Sequence, residues 1–401
     1  MLEETLRKFN PWWNADFKTP GILRSSYLDE IKRLMARENV VILFGLRRVG
    51  KTTIMKQMVA DLLQNMEPKT ILFASLDHTE IERTSILDLL RYFRSHNKLK
   101  SSELTYLFLD EVQSRPDFEK EIKSIYDTEE RVKIIVSGSS SLVIKHKGAG
   151  LVGRYRSVKV EPLDFGEFLA FRGEKSDVSE PDLLRGLAEE YLLTGGIPEY
   201  VLGSDPGYLL DLVDNVIFRD ISRTYHVEDP KLMKDLFFLL MCRVGKRVSY
   251  SKLARLLNMG DDAIKRYMGY FEEAFLISLI EQDGTPNERK YGPKKCYAPD
   301  LGICSVISGL SDLGPLAENA VFLKLRKRGE VRYVERDGKE VDFLIGNRAI
   351  EVKYKDSVSS SDLECLQSFK KRGISNKVII TRSPTTSPHI VHTTMSDFLL
   401  S

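Results

Sequence analysis

The chain has 401 residues, 42% of them hydrophobic and 29% charged, which is enough for two or three domains that each bury a core. Its 60 lysines and arginines almost balance 58 aspartates and glutamates, so there is no global basic field, and a nucleic-acid partner would have to be met by a local patch. The apolar runs at 40–44 and 236–241 are far too short to span a bilayer, the mixed-charge N-terminus has no apolar secretory stretch, and the scattered Cys242, Cys296, Cys304 and Cys365 suggest neither disulfides nor zinc. A soluble, cytoplasmic protein with no membrane partner is expected.

In chain order, Leu28, Ile31, Leu34 and Met35 recur at helical spacing and predict a helix over 24–38. Short apolar strands at 40–44, 70–76, 105–109 and 132–136 then alternate with helices at 52–65, 85–95 and 117–126. Such alternation predicts a parallel sheet covered on both faces. The pattern breaks near residue 170. From 179 to 245 the chain reads as mostly helical, interrupted at Gly195-Gly196-Ile197-Pro198, where a helix cannot continue. Helices near 231–243, 249–257 and 261–273, a strand at 276–280 and a hairpin turning at Gly284-Thr285-Pro286-Asn287 form a winged-helix pattern, with Asp261 read as the cap of its third helix. The last hundred residues return to alternation: a helix at 315–328, a strand at 331–335, a tight hairpin at 341–354, a helix at 361–371 and a strand at 377–381.

Between the first strand and the following helix lies Gly45-Leu46-Arg47-Arg48-Val49-Gly50-Lys51-Thr52, an ungapped GxxxxGK[ST]. Glycines let such a loop wrap phosphates and aim successive N–H groups at them, and the helix beginning at Thr52 turns its positive end toward the same anion. Lys51 is expected to neutralise the β and γ phosphates of ATP and Thr52 to ligate Mg²⁺, and with Thr53 the run forms the expected nucleotide-binding stretch. The strand Leu-Thr-Tyr-Leu-Phe-Leu delivers Asp110 and Glu111, the first to hold Mg²⁺ through water and the second to polarise the attacking water. A later apolar strand runs into Ser137-Gly138-Ser139-Ser140. Ser139 there is either a contact to the γ phosphate or attacking water, or part of an ordinary Ser/Gly loop. Arg154, in Gly153-Arg154-Tyr155-Arg156, is either an arginine finger acting in cis or across a subunit boundary, or an exposed ion-paired side chain.

In Val341-Asp342-Phe343-Leu344-Ile345-Gly346-Asn347-Arg348-Ala349-Ile350-Glu351-Val352-Lys353, Gly346-Asn347 is a two-residue hairpin signal. Pairing 345 with 348 and counting outward sets Asp342 opposite Glu351, with Lys353 on the same face and Phe343, Ile345, Ile350 and Val352 on the other. Opposed carboxylates repel unless a cation joins them, and this pair suits Mg²⁺ or Mn²⁺ with Lys353 nearby, the D-x8-ExK pattern of PD-(D/E)xK nucleases. Glu318, on the preceding helix, would be the extra acid, and Gln367 on the following helix an assistant. The competing reading is a solvated hairpin face bridged by Lys353. In the middle segment, Lys265, Arg266 and Tyr267, with Arg247, Lys252 and Arg255, could meet a DNA backbone, although Asp262, Glu272 and Glu273 lie beside them and winged helices also dock proteins. His389 and His392 lack further ligands and read as surface residues.

These phrases, together with LVGRYRSVKVEPLDFGEFL, YLLTGGIPEY and AENAVFLKL, resemble the AAA+ superfamily ATPases of archaea and bacteria that carry a winged helix and a nuclease-like C-terminal domain. The resemblance covers almost the whole chain. It implies a nucleotide-dependent switch or motor, places Arg154 at the family's Gly-Arg finger position, and implies a restriction-endonuclease-like fold at the C-terminus, with Ala317 where an apolar residue often precedes the Glu-Asn pair. The expected architecture is α/β: an ATPase core at 1–170 with an N-terminal aromatic segment, a helical lid or linker at 171–228, a winged helix at 229–299, and a PD-(D/E)xK nuclease-like domain at 300–401. The expected function is Mg²⁺-dependent ATP hydrolysis coupled to DNA engagement. The alternative is an ATP-controlled signalling or assembly switch whose C-terminal domain only binds a protein partner or a second copy of the chain.

Overall fold

The computed structural model describes residues 2–37, 39–138, 153–175, 180–309, 312–336, 338–371 and 373–401, and it divides into two compact units, Met1–Glu161 and Pro162–Ser401.

In the first unit, α1 (Leu2–Phe9) leads to α2 (Ser25–Met35), which buries Leu28, Ile31 and Met35. Then follow β1 (Val40–Phe44), α3 (Lys51–Leu62), β2 (Ile71–Ser75), α4 (Thr79–Glu82), α5 (Ile86–His96), β3 (Thr105–Asp110), α6 (Phe118–Thr128), β4 (Val132–Gly138) and β5 (Tyr155–Lys159). The strands form one parallel sheet in the order β2-β3-β4-β1-β5, so β4 lies between the strand that feeds the glycine loop and the strand that carries the acid pair. Alternate residues Val40, Ile42, Leu72, Ala74, Leu107, Leu109, Ile134 and Val136 pack on Leu89, Leu90 and Phe93 of α5 and on Phe118, Ile122 and Ile125 of α6. The other face is covered by α2 and α3. This is the two-faced parallel sheet that the alternation predicts; β5, whose Arg156 and Ser157 are exposed, extends it beyond the expected strands.

The edge strand β2 is closed by the segment after α1. The Asn10 side-chain amide donates to the Phe73 carbonyl at 2.8 Å and accepts from the Phe73 N–H at 2.6 Å. The indoles of Trp12 and Trp13 donate to the Ile71 carbonyl at 3.2 and 3.0 Å. A side chain thus stands where a neighbouring strand would, and the aromatic pair packs on the sheet itself.

The second unit opens with α7 (Phe165–Phe171), fixed by an Asp164/Glu167 capping box, and α8 (Pro181–Thr194). Helix α8 ends at Gly195, whose φ is +71°; a Cβ there would lie 2.3 Å from the Gly302 nitrogen and 2.6 Å from an Asp300 oxygen. Next come α9 (Pro198–Gly203), α10 (Pro206–Asp214), a π-helical turn at Asn215–Ile221, and α11 (Ser222–Tyr225). After α12 (Pro230–Met241), α13 (Tyr250–Leu257) and α14 (Asp261–Glu273), strands β6 (Ser278–Glu281) and β7 (Lys294–Tyr297) pair antiparallel. Two local expectations are corrected. Gly260, not Asp261, is the N-cap of α14, and Asp261 instead places its charge in the first turn. The run 284–287 is not a tight turn, because the Thr285 side chain caps a further helix, α15 (Pro286–Tyr291), between the two strands.

The remainder is α16 (Leu301–Ser308), α17 (Leu313–Leu325), β8 (Arg332–Arg336), β9 (Lys339–Ile345), β10 (Arg348–Lys353), α18 (Ser360–Ser368), β11 (Asn376–Thr381), β12 (Val391–Thr394) and α19 (Met395–Leu400). The sheet order is β12-β11-β10-β9-β8; β8, β9 and β10 run antiparallel, and β11 and β12 continue parallel to β10. The hairpin register pairs Ile345 with Arg348, as counting from Gly346-Asn347 predicts. Leu344 and Ala349 pack on Leu363 and Leu366 of α18, while Phe343 meets Tyr297 and Phe322 on the opposite face.

Candidate active site and the C-terminal acidic cluster

The glycine loop follows β1 directly. At Gly45, with φ +149°, a Cβ would fall 2.2 Å from the Val160 carbonyl oxygen, so only glycine lets the chain turn there beside β5. Gly50, at φ +96°, is the N-cap of α3. Inside the loop, Leu46 and Val49 are buried while Arg48 is exposed with φ +63°. The Lys51 ammonium lies across the loop, 3.1 Å from the Gly45 carbonyl and 2.8 Å from that of Leu46. Thr52 and Thr53 occupy the first turn of α3.

The acid pair meets this loop from β3. Thr52 Oγ1 is 2.6 Å from Asp110 Oδ2. Ser137, buried at the end of β4, donates its hydroxyl to Asp110 Oδ1, and the Glu111 N–H reaches that same oxygen at 3.2 Å. Glu111 takes a left-handed conformation, φ +54°, and Gln113 donates to its carboxylate. Burial, and then the neighbouring Asp110 charge, push the Glu111 carboxyl above its ordinary value, with Lys51, Gln113 and Arg47 opposing. The donor set fits Mg²⁺ with a triphosphate: a hydroxyl and a carboxylate oxygen converge at the mouth of a loop whose glycines leave backbone and ammonium facing one spot.

Sequence reasoning missed two residues of this site. The guanidinium of Arg24, 4% exposed, donates to the Val49 carbonyl at 2.9 Å and to the Glu161 carbonyl at 3.0 Å, bracing the loop from behind. Gln57 holds the segment that carries Arg24, donating to the Pro20 and Ile22 carbonyls and accepting from the Arg24 N–H at 3.3 Å. Ser137, at the end of the same apolar strand, bonds Asp110; a polar residue ending an apolar strand was the available signal. Ser139 lies outside the described residues. Arg154 is not brought to the loop of its own chain, since Tyr155 pairs with Val40 at the start of β1 and the loop follows the end of β1. Its guanidinium instead pairs with Asp127 at 3.3 Å and lies 5.6 Å from the centre of the Tyr126 ring.

In the C-terminal sheet the expected acids do converge, together with one unexpected cation. Asp342 and Glu351 are both buried; Asp342 Oδ2 accepts the Val352 N–H at 2.9 Å, and Lys353 holds Glu351 Oε1 at 2.6 Å. Lys295, from β7 and 1% exposed, places its ammonium 3.0 Å from Glu318, 2.5 Å from Glu340 and 3.5 Å from Asp342. Glu318 also accepts from the Tyr297 hydroxyl at 2.7 Å. Burial and the Asp342 charge push Glu318 and Glu351 up, while the carboxylates around Lys295 hold its ammonium charged against its own burial. Among the described residues no three His, Cys, Asp or Glu side chains group as a metal-binding set. The carboxylates therefore do not fit a divalent ion as they are arranged here; Lys295 stands in their midst. Gln367 is exposed on the outer side of α18.

On α13 and α14, Lys252, Arg255, Lys265 and Arg266 are exposed, Lys265 pairing with Asp262 at 3.4 Å. Tyr267, grouped with them by sequence, is buried, and Arg247 is engaged by Glu335. His392 hydrogen-bonds Thr385 and Ser387, both at 2.6 Å. No helix among the described residues is long and apolar enough to cross a membrane.

Residues 37–169 match the model of the AAA domain, and residues 185–314 and 313–395 match two domains of unknown function, DUF8612 and DUF4143. An uncharacterised protein of Methanocaldococcus jannaschii is 28% identical over 371 residues, 85% of this chain and 80% of that protein. One from Haemophilus influenzae is 26% identical over 351 residues, 83% of this chain and 86% of its own. The solved Walker-type ATPase of Pyrococcus abyssi covers 74% of this chain and 99% of its own at 14% identity, with a TM-score of 0.47. The parallel-sheet unit, with its glycine loop and acid pair, is an AAA-type P-loop domain, the fold of nucleotide-binding ATPases.

Proposed function

We propose that the chain is a Mg²⁺-dependent ATPase that binds ATP along Gly45–Thr53 and hydrolyses it. The observation that carries this reading is the 2.6 Å approach of Thr52 Oγ1 to Asp110 at the mouth of the glycine loop, with Glu111 alongside. Lys51 would leave the loop carbonyls for the β and γ phosphates, Thr52 and Asp110 would hold the magnesium, and Ser137 keeps Asp110 oriented. Magnesium, when bound, supplies charge neutralisation between the outer phosphates. Glu111 takes the proton of the attacking water, and burial beside Asp110 makes it a stronger base than an ordinary carboxylate. Arg154 serves as a finger for a neighbouring copy, which its distance from its own loop favours over action in cis. The test is phosphate release with and without Mg²⁺: Lys51→Ala abolishes both ATP binding and hydrolysis, and hydrolysis surviving in that variant would refute the assignment.

The nucleotide state is further proposed to govern how the remaining parts, a linker at 171–228, a winged helix at 229–299 and a nuclease-like domain at 300–401, engage DNA in the cytoplasm. Support comes from three helices followed by an antiparallel strand pair, and from the succession of α17, three antiparallel strands, α18 and β11 around Glu318, Asp342, Glu351 and Lys353. Lys295 amid the acids favours a second reading, in which the C-terminal domain is an interaction module and the ATPase an assembly switch. Incubation with DNA and RNA in Mn²⁺ separates the two, because cleavage lost in Asp342→Ala belongs to a nuclease and intact substrate throughout belongs to a module.

A further inference from the structure

We infer that Lys295 is itself the cation of the C-terminal acidic cluster, and that its ammonium and a divalent ion exclude one another among Glu318, Glu340 and Asp342. The inference rests on the reading of these acids as a cation site and specifies what fills it.

Three features carry it. First, the ammonium has three carboxylate neighbours, at 3.0, 2.5 and 3.5 Å, and so occupies the place among them that a metal ion would take. Second, the lysine is held there by its backbone. It lies in β7, paired with Ile280 of β6, while the Val248 N–H bonds to the Lys294 carbonyl at 2.8 Å and the Cys296 N–H to the Lys246 carbonyl at 3.3 Å. Gly245, at φ +75°, brings the loop after α12 so close that a Cβ would lie 3.0 Å from a Glu318 oxygen. The backbone from which the lysine reaches the acids is thereby fixed on both sides.

Third, acids outnumber bases. Glu318, Glu340, Asp342 and Glu351 face Lys295 and Lys353, four carboxyl groups against two ammonium groups. Without Lys295, buried Asp342 and the half-buried Glu318 and Glu340 would lose the cation they share, and like charges brought together in a poorly solvated place demand either protons or a metal. Two cations at one point are excluded by the same electrostatics. Metal entry is thus tied to displacement of the Lys295 ammonium.

The experiment uses the full chain without nucleotide. Mn²⁺ binding is followed by electron paramagnetic resonance, and the C-terminal site is defined as the part of that binding which Asp342→Asn removes. In the native chain this part is absent or weak; in Lys295→Met and Lys295→Gln it appears, at least about tenfold tighter. If the lysine variants bind no more tightly than the native chain, the inference falls. In that case Asp342-dependent binding in the native chain leaves the nuclease reading standing, and its absence from every chain removes that reading as well. Should the variants be unfolded by their uncompensated acids, millimolar Mn²⁺ is expected to restore their melting temperature while leaving that of the native chain unchanged; no restoration overturns the proposal.

Discussion

Glu111 and Lys51 divide the chemistry at the nucleotide loop. Glu111→Gln preserves the hydrogen bond from Gln113's neighbourhood but cannot accept a proton, so ATP binding is expected to persist while turnover drops about a hundredfold or more, as equilibrium binding and phosphate release would show. Because burial raises the carboxyl's proton affinity, the native rate should rise with pH as Glu111 ionises, and this limb should be missing from the variant. Arg24→Met removes the brace on Val49 and leaves that buried carbonyl, and the half-buried one of Glu161, without their donor, at a cost of about 2 kcal/mol, with weakened ATP affinity. The loop was legible because its eight residues are contiguous. Arg24 was not, because its partners lie 25 and 137 positions away and an arginine before a helix carries no signal of burial.

At the scale of elements, the apolar strands and the hairpin at Gly346-Asn347 were readable because both depend on neighbours in sequence. What escaped was decided by tertiary contact. β5 has exposed polar residues and exists through pairing with β1; α15 grows from the Thr285 cap where the Gly-Thr-Pro-Asn composition reads as a turn. Lys295 was invisible because nothing in its local sequence reports three acids 23 to 47 residues further on. The closure of β2 gives a direct test. Asn10→Ala leaves the Phe73 N–H and carbonyl unpaired at a sheet edge and is expected to cost about 2–3 kcal/mol, read as a lowered melting temperature with increased light scattering. Gly195→Ala forces a contact with Gly302 and Asp300 and should destabilise more, since both the φ angle and the space oppose it.

For the whole molecule, acidity and salt are the informative variables. Asp300 joins Gly196 to the start of α16, accepting from the Gly196 N–H at 2.6 Å and the Ile303 N–H at 3.0 Å, yet burial raises its carboxyl from 3.8 to about 6. The folded chain then keeps this proton to higher pH than the unfolded chain. The associated stability is fully present below pH ~4 and lost as pH climbs through about 6, a difference of at most about 3 kcal/mol. Unfolding midpoints of the native chain and Asp300→Asn should diverge over that interval and run parallel above it. A net charge of +2 offers little general attraction to nucleic acid, so DNA binding by the proposed winged helix would draw on the local patch of Lys252, Arg255, Lys265 and Arg266. Four phosphate contacts give a slope of log affinity on log salt near −3.6, roughly one unit shallower for each residue removed. A slope unaffected by Lys265→Ala with Arg266→Ala would exclude α14 from the DNA contact.

The resting position of Lys51 has a kinetic corollary. Its ammonium is lodged on two carbonyls of the very loop it serves, within a backbone already turned by Gly45 and Gly50. An incoming triphosphate has only to exchange one set of oxygens for another at the tip of a four-carbon arm, with no segment left to order. Capture should therefore be fast and nearly independent of viscosity-sensitive rearrangement in the loop, leaving the departure of ADP or phosphate to set the pace of the cycle.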